Sequence, residues 1–462
     1  MVWDLSSSPM RQSARTIALD LHNAVEFDGA YANLLLPKLL SSSRLDQRDI
    51  ALAQELAFGT LRWQFFYDCI IEICAKRNTS DIDTSTLLVL RLGAHQLLGM
   101  RIPAHAALDE TVELAKQKVS RGSAGFVNGV LRRISEKSRQ HWLDEILQRI
   151  DDVQVRLAIE FSHPVWIVKA LSQALTLDGR GDDLRDLLLA DNIAPLVSLV
   201  ALPGLAFEQD FEDLPIGPSS PIGALLDSGD PNNLKAFREG RVRVQDQGSQ
   251  LVTLALIAAT EIQENEMWLD LCAGPGGKAV LLAAEAKMHS AQLVCNEVSE
   301  HRAKLARQAL APVNTAIAVE VEDGRDLPSH HQAAYDRILL DAPCTGLGAL
   351  RRRPEARWRK KVSDVSELTR LQEQLLESAW TYLKPGGVIA YVTCSPHVAE
   401  TNAIVDWALK RLPGVELIDS NNVLKAINPN LALNSTRSTS QLWPHLHQTD
   451  AMFLALLRKS VG

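Results

Sequence analysis

The fold of the C-terminal half is indicated by the segment Ile338-Leu339-Leu340-Asp341-Ala342-Pro343-Cys344-Thr345-Gly346, where an apolar run leads directly to a thiol. Fifty residues after Cys344, a second apolar run ends in Val392-Thr393-Cys394-Ser395. Short continuous apolar runs of this kind are typical of strands buried in a parallel sheet. Because open α/β sheets build their sites at the carboxyl ends of strands, we expect both thiols at one sheet edge.

A glycine-rich turn precedes both thiols. It reads Leu269-Asp270-Leu271-Cys272-Ala273-Gly274-Pro275-Gly276-Gly277-Lys278 and continues into the apolar helix 279–284. Glycines let the backbone approach a ligand and adopt positive φ. The spacing is not the G-x-G-x-x-G of dinucleotide-binding folds, and the lysine is followed by Ala279 rather than the Ser or Thr of a P-loop. Alternating strands and helices predict a doubly wound α/β sheet.

Two strand-end thiols beside such a loop suggest thiolate chemistry on a substrate held next to a cofactor. Carbon 5 of cytosine is a poor nucleophile. A thiolate that adds at C6 converts the ring into an enamine, and C5 can then attack the methyl group of S-adenosylmethionine (SAM). A base must afterwards remove the C5 proton, and the thiol must leave. A carboxyl group such as Asp341 suits hydrogen bonding at N3, which makes the ring a better acceptor.

Five motifs in this order resemble those of the RNA 5-methylcytosine methyltransferases. The resemblance is strongest to the RsmB (Sun/Fmu) branch, which acts on small-subunit ribosomal RNA. Five ordered motifs are far more specific than any single one. The matching elements are the loop 272–278, Glu297 at the end of the next strand, Asp323-Gly324-Arg325, Asp341-Ala342-Pro343-Cys344 and Thr393-Cys394-Ser395.

The resemblance implies a role for each of these residues. Cys394 would attack C6, and Cys344 would assist release of the methylated base. DNA cytosine methyltransferases use the Pro-Cys thiol as nucleophile instead, and the spacing alone leaves that choice open. Glu297 would bind the ribose hydroxyls of SAM, as acids about twenty residues after such a loop do, and Asp323 the adenine side. The implied cofactor-binding set is Cys272, Ala273, Gly274, Pro275, Gly276, Gly277, Lys278, Glu297, Asp323 and Asp341.

Several of these residues have a simpler alternative role. Cys272 and Cys295 stand in apolar contexts and are expected to be small core residues, since free cysteine is among the most buried types. Asp341 could cap the turn that follows it, and Asp323 could be an ordinary loop residue. Many relatives carry paired glutamates before an asparagine; this chain keeps only Glu400, which we expect to affect loop packing more than the thiol.

The net charge of −8 argues mildly against a nucleic-acid partner, but the charge is unevenly distributed. The segment 351–361, directly after the Cys344 loop, has seven cations and one anion. Arginines beside an aromatic side chain fit phosphate neutralisation and base stacking. The alternative is a solvated helix start. The residues predicted to contact RNA are Arg351, Arg352, Arg353 and Trp358.

Residues 1–140 are predicted to form an all-α domain, because apolar residues recur every three to four positions, as in 49–62 and 86–98. The segments Arg101-Ile102-Pro103-Ala104-His105-Ala106-Ala107-Leu108-Asp109-Glu110 and Phe126-Val127-Asn128-Gly129-Val130-Leu131-Arg132-Arg133 resemble NusB, a helical RNA-binding antitermination factor. A NusB-like module joined to this catalytic half separates the RsmB branch from its relatives. His95 is expected to be an ordinary packing or capping residue.

The rest of the chain is predicted to form two further domains. Residues 141–235 are interpreted as a small α+β linker subdomain, in which 194–201 is a strand and 214–221 a loop rich in Pro and Gly. Family members contact RNA there, but this chain lacks the Arg and Asn that often follow the strand. Residues 236–462 are predicted to be a Rossmann-like SAM-dependent methyltransferase domain.

Composition agrees with an enzyme of two or three domains, since the chain has 462 residues. Six cysteines without a C-x-x-C pair and 12 histidines without paired spacing predict neither a disulfide framework nor a metal site. Residues 1–12 lack the apolar core of a signal peptide. The most apolar window, 187–207, is interrupted by an aspartate and two prolines. We therefore expect a cytoplasmic protein with no membrane partner.

The expected function is SAM-dependent methylation at C5 of one cytosine in RNA. The resemblance points to cytosine 967 of 16S ribosomal RNA, and a transfer-RNA or other ribosomal cytosine is an alternative target. A second class of function is a non-catalytic NusB-like RNA-binding or antitermination protein. A third is a small-molecule or protein methyltransferase, which would have no use for two strand-end thiols.

Overall fold

The computed structural model of the chain describes residues 12–212, 214–227, 229–313, 317–433 and 436–461. The contacts between residues divide it into two compact units. The helical unit comprises residues up to Lys169 together with Arg352–Arg359. The sheet unit comprises Ala170–Arg351 and the chain from Lys360 onward. The division of the sequence into three domains, with boundaries at 140 and 235, stays a prediction.

The helices and strands follow one another along the chain. The helices are α1 (Ala14–Phe27), α2 (Ala32–Ser41), α3 (Gln47–Arg62), α4 (Gln64–Ala75), α5 (Thr84–Leu98), α6 (Ala104–Lys118), α7 (Arg121–Ile134), α8 (Arg139–Leu147), α9 (Val153–Glu160), α10 (Val165–Leu177), α11 (Leu184–Ala190), α12 (Lys235–Arg238), α13 (Gln247–Ala258), α14 (Gly277–Met288), α15 (Glu300–Leu310), α16 (Ala356–Arg359), α17 (Val362–Tyr382), α18 (Asn402–Arg411), α19 (Ser420–Ile427) and α20 (Pro444–His447). The strands are β1 (Val197–Ala201), β2 (Gly223–Leu226), β3 (Val242–Val244), β4 (Met267–Asp270), β5 (Gln292–Asn296), β6 (Ala318–Glu320), β7 (Tyr335–Asp341), β8 (Leu383–Thr393), β9 (Val415–Ile418), β10 (Ser440–Gln441) and β11 (Phe453–Lys459).

The helical unit is built around α5, which packs against α1, α3, α4, α6 and α7. Residues 86–96 of α5 are all buried, so this helix is covered on every side and not only on the one face that an apolar period of three to four residues predicts. His95 lies in the same core, where its ring contacts the Tyr67 hydroxyl at 2.9 Å. The predicted all-α structure of the N-terminal region is confirmed for residues 12–140. Helices α8 and α9 continue it beyond residue 140.

The sheet unit has one large sheet with the strand order β10-β11-β8-β7-β4-β5-β6. Strand β9 also pairs with β11, along the edge that faces away from β8. The five strands β4 to β8 are parallel to one another, whereas β11 is antiparallel to β8. Helices α13 and α14 contribute to the core on one face, and α17 and α18 to the core on the other. This is the predicted doubly wound α/β architecture. The strand order reverses beside β4, and such a switch point is where these sheets bind ligands.

A separate three-stranded antiparallel sheet has the order β2-β1-β3. Strand β1 lies within the segment 194–201 that was predicted to be a strand. The apolar window 187–207 folds as the end of α11, a turn and β1. Within the described residues, no helix has both the length and the apolar character that a bilayer crossing requires.

Candidate active site

The glycine-rich turn connects β4 to α14 at the switch point of the large sheet. Gly274 and Gly276 have φ values of +56° and +92°, which other residues adopt only with strain. A side chain at Gly276 would also lie 2.9 Å from the Cα of Ala306 in α15, so glycine allows that helix to approach. At Gly274 and Gly277, by contrast, an added Cβ would meet no other atom within 4 Å. The loop therefore leaves open space beside its backbone and the N-terminus of α14.

Glu297 follows β5 and is held against this loop. Its Oε2 accepts the backbone N–H of Gly274 at 2.9 Å, and its Oε1 accepts that of Ser299 at 2.9 Å. The Arg302 guanidinium lies 2.7 Å from Oε1. The structure thus brings together the loop and the acid that the sequence singled out.

Asp323 lies in the turn after β6, where its carboxylate pairs with the side chain of Arg325. These hydrogen bonds lower the pKa of Asp323, so the residue is a carboxylate at neutral pH. Gly324, between these two residues, packs against Leu271 of the loop. A Cβ added at Gly324 would lie 3.2 Å from Cδ1 of Leu271. The turn is thereby placed beside the glycine loop.

The two predicted cysteines come together at the carboxyl ends of neighbouring strands. Strands β7 and β8 are parallel, with Asp341 opposite Val392. Both thiols follow these strand ends, are half-buried, and have their Sγ atoms 3.4 Å apart. The hydrogen bond with Cys394 is the main factor that raises the pKa of Cys344 well above its usual value, and burial adds to it. Cys344 is therefore a protonated thiol at neutral pH.

Lys278, the last residue of the glycine loop, joins the loop to the cysteines. Its Nζ lies 2.6 Å from Oδ2 of Asp341, at the end of β7. Burial lowers the pKa of Lys278, but attraction to Asp341 and then to Cys394 outweighs burial, and the net pKa is raised. The site therefore contains an ammonium group that attracts negative charge on the Cys394 sulfur. The loop, Lys278, Asp341 and both cysteines form one continuous site.

Asp270, at the end of β4, is a candidate site residue that the sequence analysis did not identify. Its side chain is buried, and burial together with the neighbouring Asp341 raises its pKa to about 8. A strongly perturbed carboxyl group at a sheet edge is typical of a functional site. The signal in the sequence was the position of this acid, which ends an apolar run directly before the glycine loop.

The remaining cysteines agree with the core interpretation. Cys295 in β5 is fully buried, and Cys272 packs partly against the core on one face of the sheet. All six cysteines are free thiols. Glu320, His330 and His331 are the one group in the described part of the chain whose possible ligand atoms lie within 4.8 Å of one another. In this group, His331 contacts the Tyr335 hydroxyl at 2.6 Å, and its Nε2 lies 3.1 Å from Oε2 of the half-buried Glu320.

The arginine-rich segment is not the uniformly exposed basic surface that its charge count suggests. Arg357 is fully buried within the helical unit, where it donates to the carbonyls of Arg62 and Ser162. Trp358 donates through Nε1 to the Leu61 carbonyl at 2.9 Å. Within the segment, Ala356–Arg359 forms the short helix α16, and α17 begins after the segment at Val362.

Arg351 is buried in the sheet unit. It donates to the carbonyl of Gln448 at 3.1 Å and lies 3.9 Å from Asp246 and Asp450. Arg351 and Trp358 thus serve the fold through internal hydrogen bonds. Arg352 and Arg353 are partly exposed. Contact of these four residues with RNA stays a prediction.

Comparisons with known proteins match both halves of the chain. Residues 257–458 match the model of the family described as 16S rRNA methyltransferase RsmB/F, and residues 12–136 match the NusB family. A Mycobacterium tuberculosis protein named as a methyltransferase is 42% identical over 453 residues, with 96% of each chain covered. Ribosomal RNA small subunit methyltransferase B of Serratia proteamaculans is 32% identical, with 96% of this chain and 98% of that protein covered.

Solved structures share the fold. The crystal structure of PH0851 superposes with a TM-score of 0.79 at 21% identity, covering 99% of this chain and all of that one. A methyltransferase homologue from Pyrococcus horikoshii gives a TM-score of 0.55 at 22% identity, covering 67% of this chain and all of that one. Together with the glycine loop and the paired thiols, the sequence matches establish that this chain belongs to the RsmB/F family of 16S rRNA methyltransferases and carries an N-terminal NusB domain.

Proposed function

We propose that this protein transfers a methyl group from SAM to C5 of a cytosine in small-subunit ribosomal RNA, through a covalent bond between Cys394 and C6. The observation that carries the proposal is the pair of thiols 3.4 Å apart at the ends of adjacent parallel strands. A methyltransferase acting on a better nucleophile needs a SAM loop but no such pair. Family membership favours 16S ribosomal RNA, and cytosine 967 is the proposed target.

The chain's own residues divide the work of the reaction. Attraction between the Lys278 ammonium and Cys394 favours the thiolate that adds to C6. When N3 takes up a proton, the Asp341 carboxylate, which is paired with Lys278, accepts the N3–H and stabilises the ring form that accepts electrons more readily. SAM supplies the methyl group that C5 attacks. A base then removes the C5 proton, the C6–S bond breaks, and the thiol of Cys344 assists release by hydrogen bonding to the departing Cys394 sulfur.

The residues of the glycine loop fit SAM as the cofactor. Gly274 and Gly277 leave space beside the backbone, and Glu297 lies against the loop. A buried carboxylate at this place suits the ribose hydroxyls. Asp323 beside the loop is proposed to contact the adenine side.

Tritium transfer to RNA tests the proposal directly. Purified protein, incubated with methyl-tritiated SAM and unmodified 16S ribosomal RNA, should label the RNA, and bisulfite sequencing should find one protected cytosine. Protection in transfer RNA or at another ribosomal position would replace the proposed target with that one. Label on a protein or small molecule in place of RNA would contradict the proposal.

Substitution of Glu297 should weaken SAM binding. A hydrogen bond to a charged group contributes about 1.5–3 kcal/mol, so Glu297→Gln should raise the Kd for SAM roughly 10- to 100-fold in isothermal titration calorimetry. The control is Glu300→Gln, because that side chain is 71% exposed and pairs with Arg307. An unchanged Kd for Glu297→Gln would limit Glu297 to supporting the loop.

The RNA-contact proposal is now best tested on Arg352 and Arg353, since Arg351 is buried. Each lost phosphate contact should flatten the log–log salt dependence of RNA binding by about 0.7–0.9. The double variant Arg352→Ala/Arg353→Ala should therefore reduce the slope by about one to two units, and the exposed Lys410→Ala should leave it unchanged. A wild-type slope for the double variant would mean that RNA is bound elsewhere on the chain.

A further inference from the structure

One buried carboxylate contacts the residue after each catalytic thiol. Glu400 ends the turn that follows β8 and is fully buried. Its Oε1 accepts the backbone N–H of Thr345 at 2.7 Å, and its Oε2 accepts the Thr345 hydroxyl at 2.5 Å. Oε2 also accepts the Ser395 hydroxyl at 2.6 Å. Thr345 directly follows Cys344, and Ser395 directly follows Cys394.

Gln372 also contacts the carboxylate, and Tyr391 contacts the backbone carbonyl of Glu400. Gln372 of α17 donates through Nε2 to Glu400 Oε1 at 3.4 Å and to the carbonyl of Pro343 at 2.8 Å. The Tyr391 hydroxyl donates to the Glu400 carbonyl at 2.7 Å and also reaches Gln372. The Thr345 N–H, the hydroxyls of Thr345 and Ser395 and the Gln372 amide all donate to the carboxylate oxygens, which suits a group that acts only as an acceptor. Charge-assisted hydrogen bonds of this kind are about twice as strong as neutral ones.

We propose that Glu400 is a positioning residue that sets the separation and the division of roles of the two thiols. This inference rests on the proposed function. The parallel register of β7 and β8 ends at Asp341 and Val392. Beyond it, the Gly348 N–H donates to the Cys394 carbonyl at 2.9 Å, and Glu400 adds side-chain links between the residues that follow the two thiols. An error of about 1 Å in such a constellation can lower a rate 10²-fold.

Besides its hydrogen bonds, Glu400 affects Cys344 through its negative charge. After the hydrogen bond with Cys394 and burial, Glu400 is among the negative groups that raise the pKa of Cys344. Lys278, by contrast, is attracted to Cys394. Glu400 therefore helps to keep the proton on Cys344.

The test is steady-state kinetics of Glu400→Gln in the full-length chain. Gln fills the same space, but its amide cannot accept from all of these donors. We expect kcat to fall roughly 10- to 100-fold, with the KM for RNA and the Kd for SAM within about threefold of wild type. Active sites are counted by trapping on RNA that carries 5-fluorocytosine, whose C5 has no proton to lose. The matched control is Glu377→Gln on the exposed face of α17, which should keep the wild-type kcat.

A second readout separates positioning from simple structural support. In a Cys394→Ala background, Glu400→Gln should shift alkylation of Cys344 by iodoacetamide to lower pH, because a negative charge beside the thiol is lost. If Glu400→Gln does not fold, Ser395→Ala and Thr345→Ala take its place and should each lower kcat about 3- to 10-fold.

Wild-type kcat per trapped site in Glu400→Gln would overturn the proposal. So would wild-type kcat in both hydroxyl variants if Glu400→Gln does not fold. An unshifted alkylation profile would overturn the charge contribution. Failure of the wild-type protein to methylate cytosine in RNA would instead overturn the proposed function, so the two failures are distinguishable in one assay.

Discussion

Replacing Cys394 with serine should abolish methyl transfer to RNA and leave SAM binding within a few fold of wild type. The hydroxyl is far less acidic than a thiol and a much weaker nucleophile, so addition at C6 should stop. Removing an enzyme's nucleophile lowers kcat by on the order of 10⁴-fold or more. SAM affinity should persist because the glycine loop and Glu297 are unchanged by this substitution.

Tritium transfer and calorimetry on the same preparation measure both effects. The matched control is Cys69→Ser, a half-buried thiol in α4 of the helical unit, which should retain activity within about twofold. Turnover near the wild-type rate in Cys394→Ser would exclude a covalent role for this residue. Loss of SAM binding together with activity would show instead that the serine disturbs the loop.

The parts of the site that could be predicted from sequence are those encoded by local pattern. Strands β7 and β8 are buried on both faces and therefore appear as continuous apolar runs. The glycine loop is visible because its positive φ values and the approach of α15 both require glycine. Parallel pairing then places the two thiols at one sheet edge, as expected for strands of an α/β sheet.

The parts that could not be predicted depend on contacts between residues distant in sequence. Arg357 belongs to a run of positive charge, yet it is fully buried and donates to the carbonyl of Arg62, 295 positions earlier. The spacing of residues within the segment 351–361 does not indicate a hydrogen-bond acceptor so distant in sequence. Glu400 was expected to affect loop packing, and its hydrogen bond to the Thr345 N–H spans 55 positions. Long-range hydrogen bonds decide the burial of these charged groups, and local charge patterns do not contain that information.

Replacing Cys344 with alanine should cause a covalent RNA adduct to accumulate. Cys344 is a protonated thiol 3.4 Å from the Cys394 sulfur, close enough to hydrogen-bond that sulfur as it leaves C6. Alanine removes this hydrogen bond but not the nucleophile, so addition and methyl transfer should proceed and release should become slow. A retarded protein band that is sensitive to ribonuclease should then appear on a denaturing gel.

The double variant Cys344→Ala/Cys394→Ala tests which residue forms the covalent bond to RNA. Loss of the band there identifies Cys394 as the attacking residue, and a band that survives would place the nucleophile elsewhere. A band in the single variant Cys394→Ala would show that Cys344 attacks, as the Pro-Cys thiol does in DNA cytosine methyltransferases. The sequence spacing allows both assignments. The proposed assignment to Cys394 rests on family membership and on the attraction between Lys278 and that sulfur.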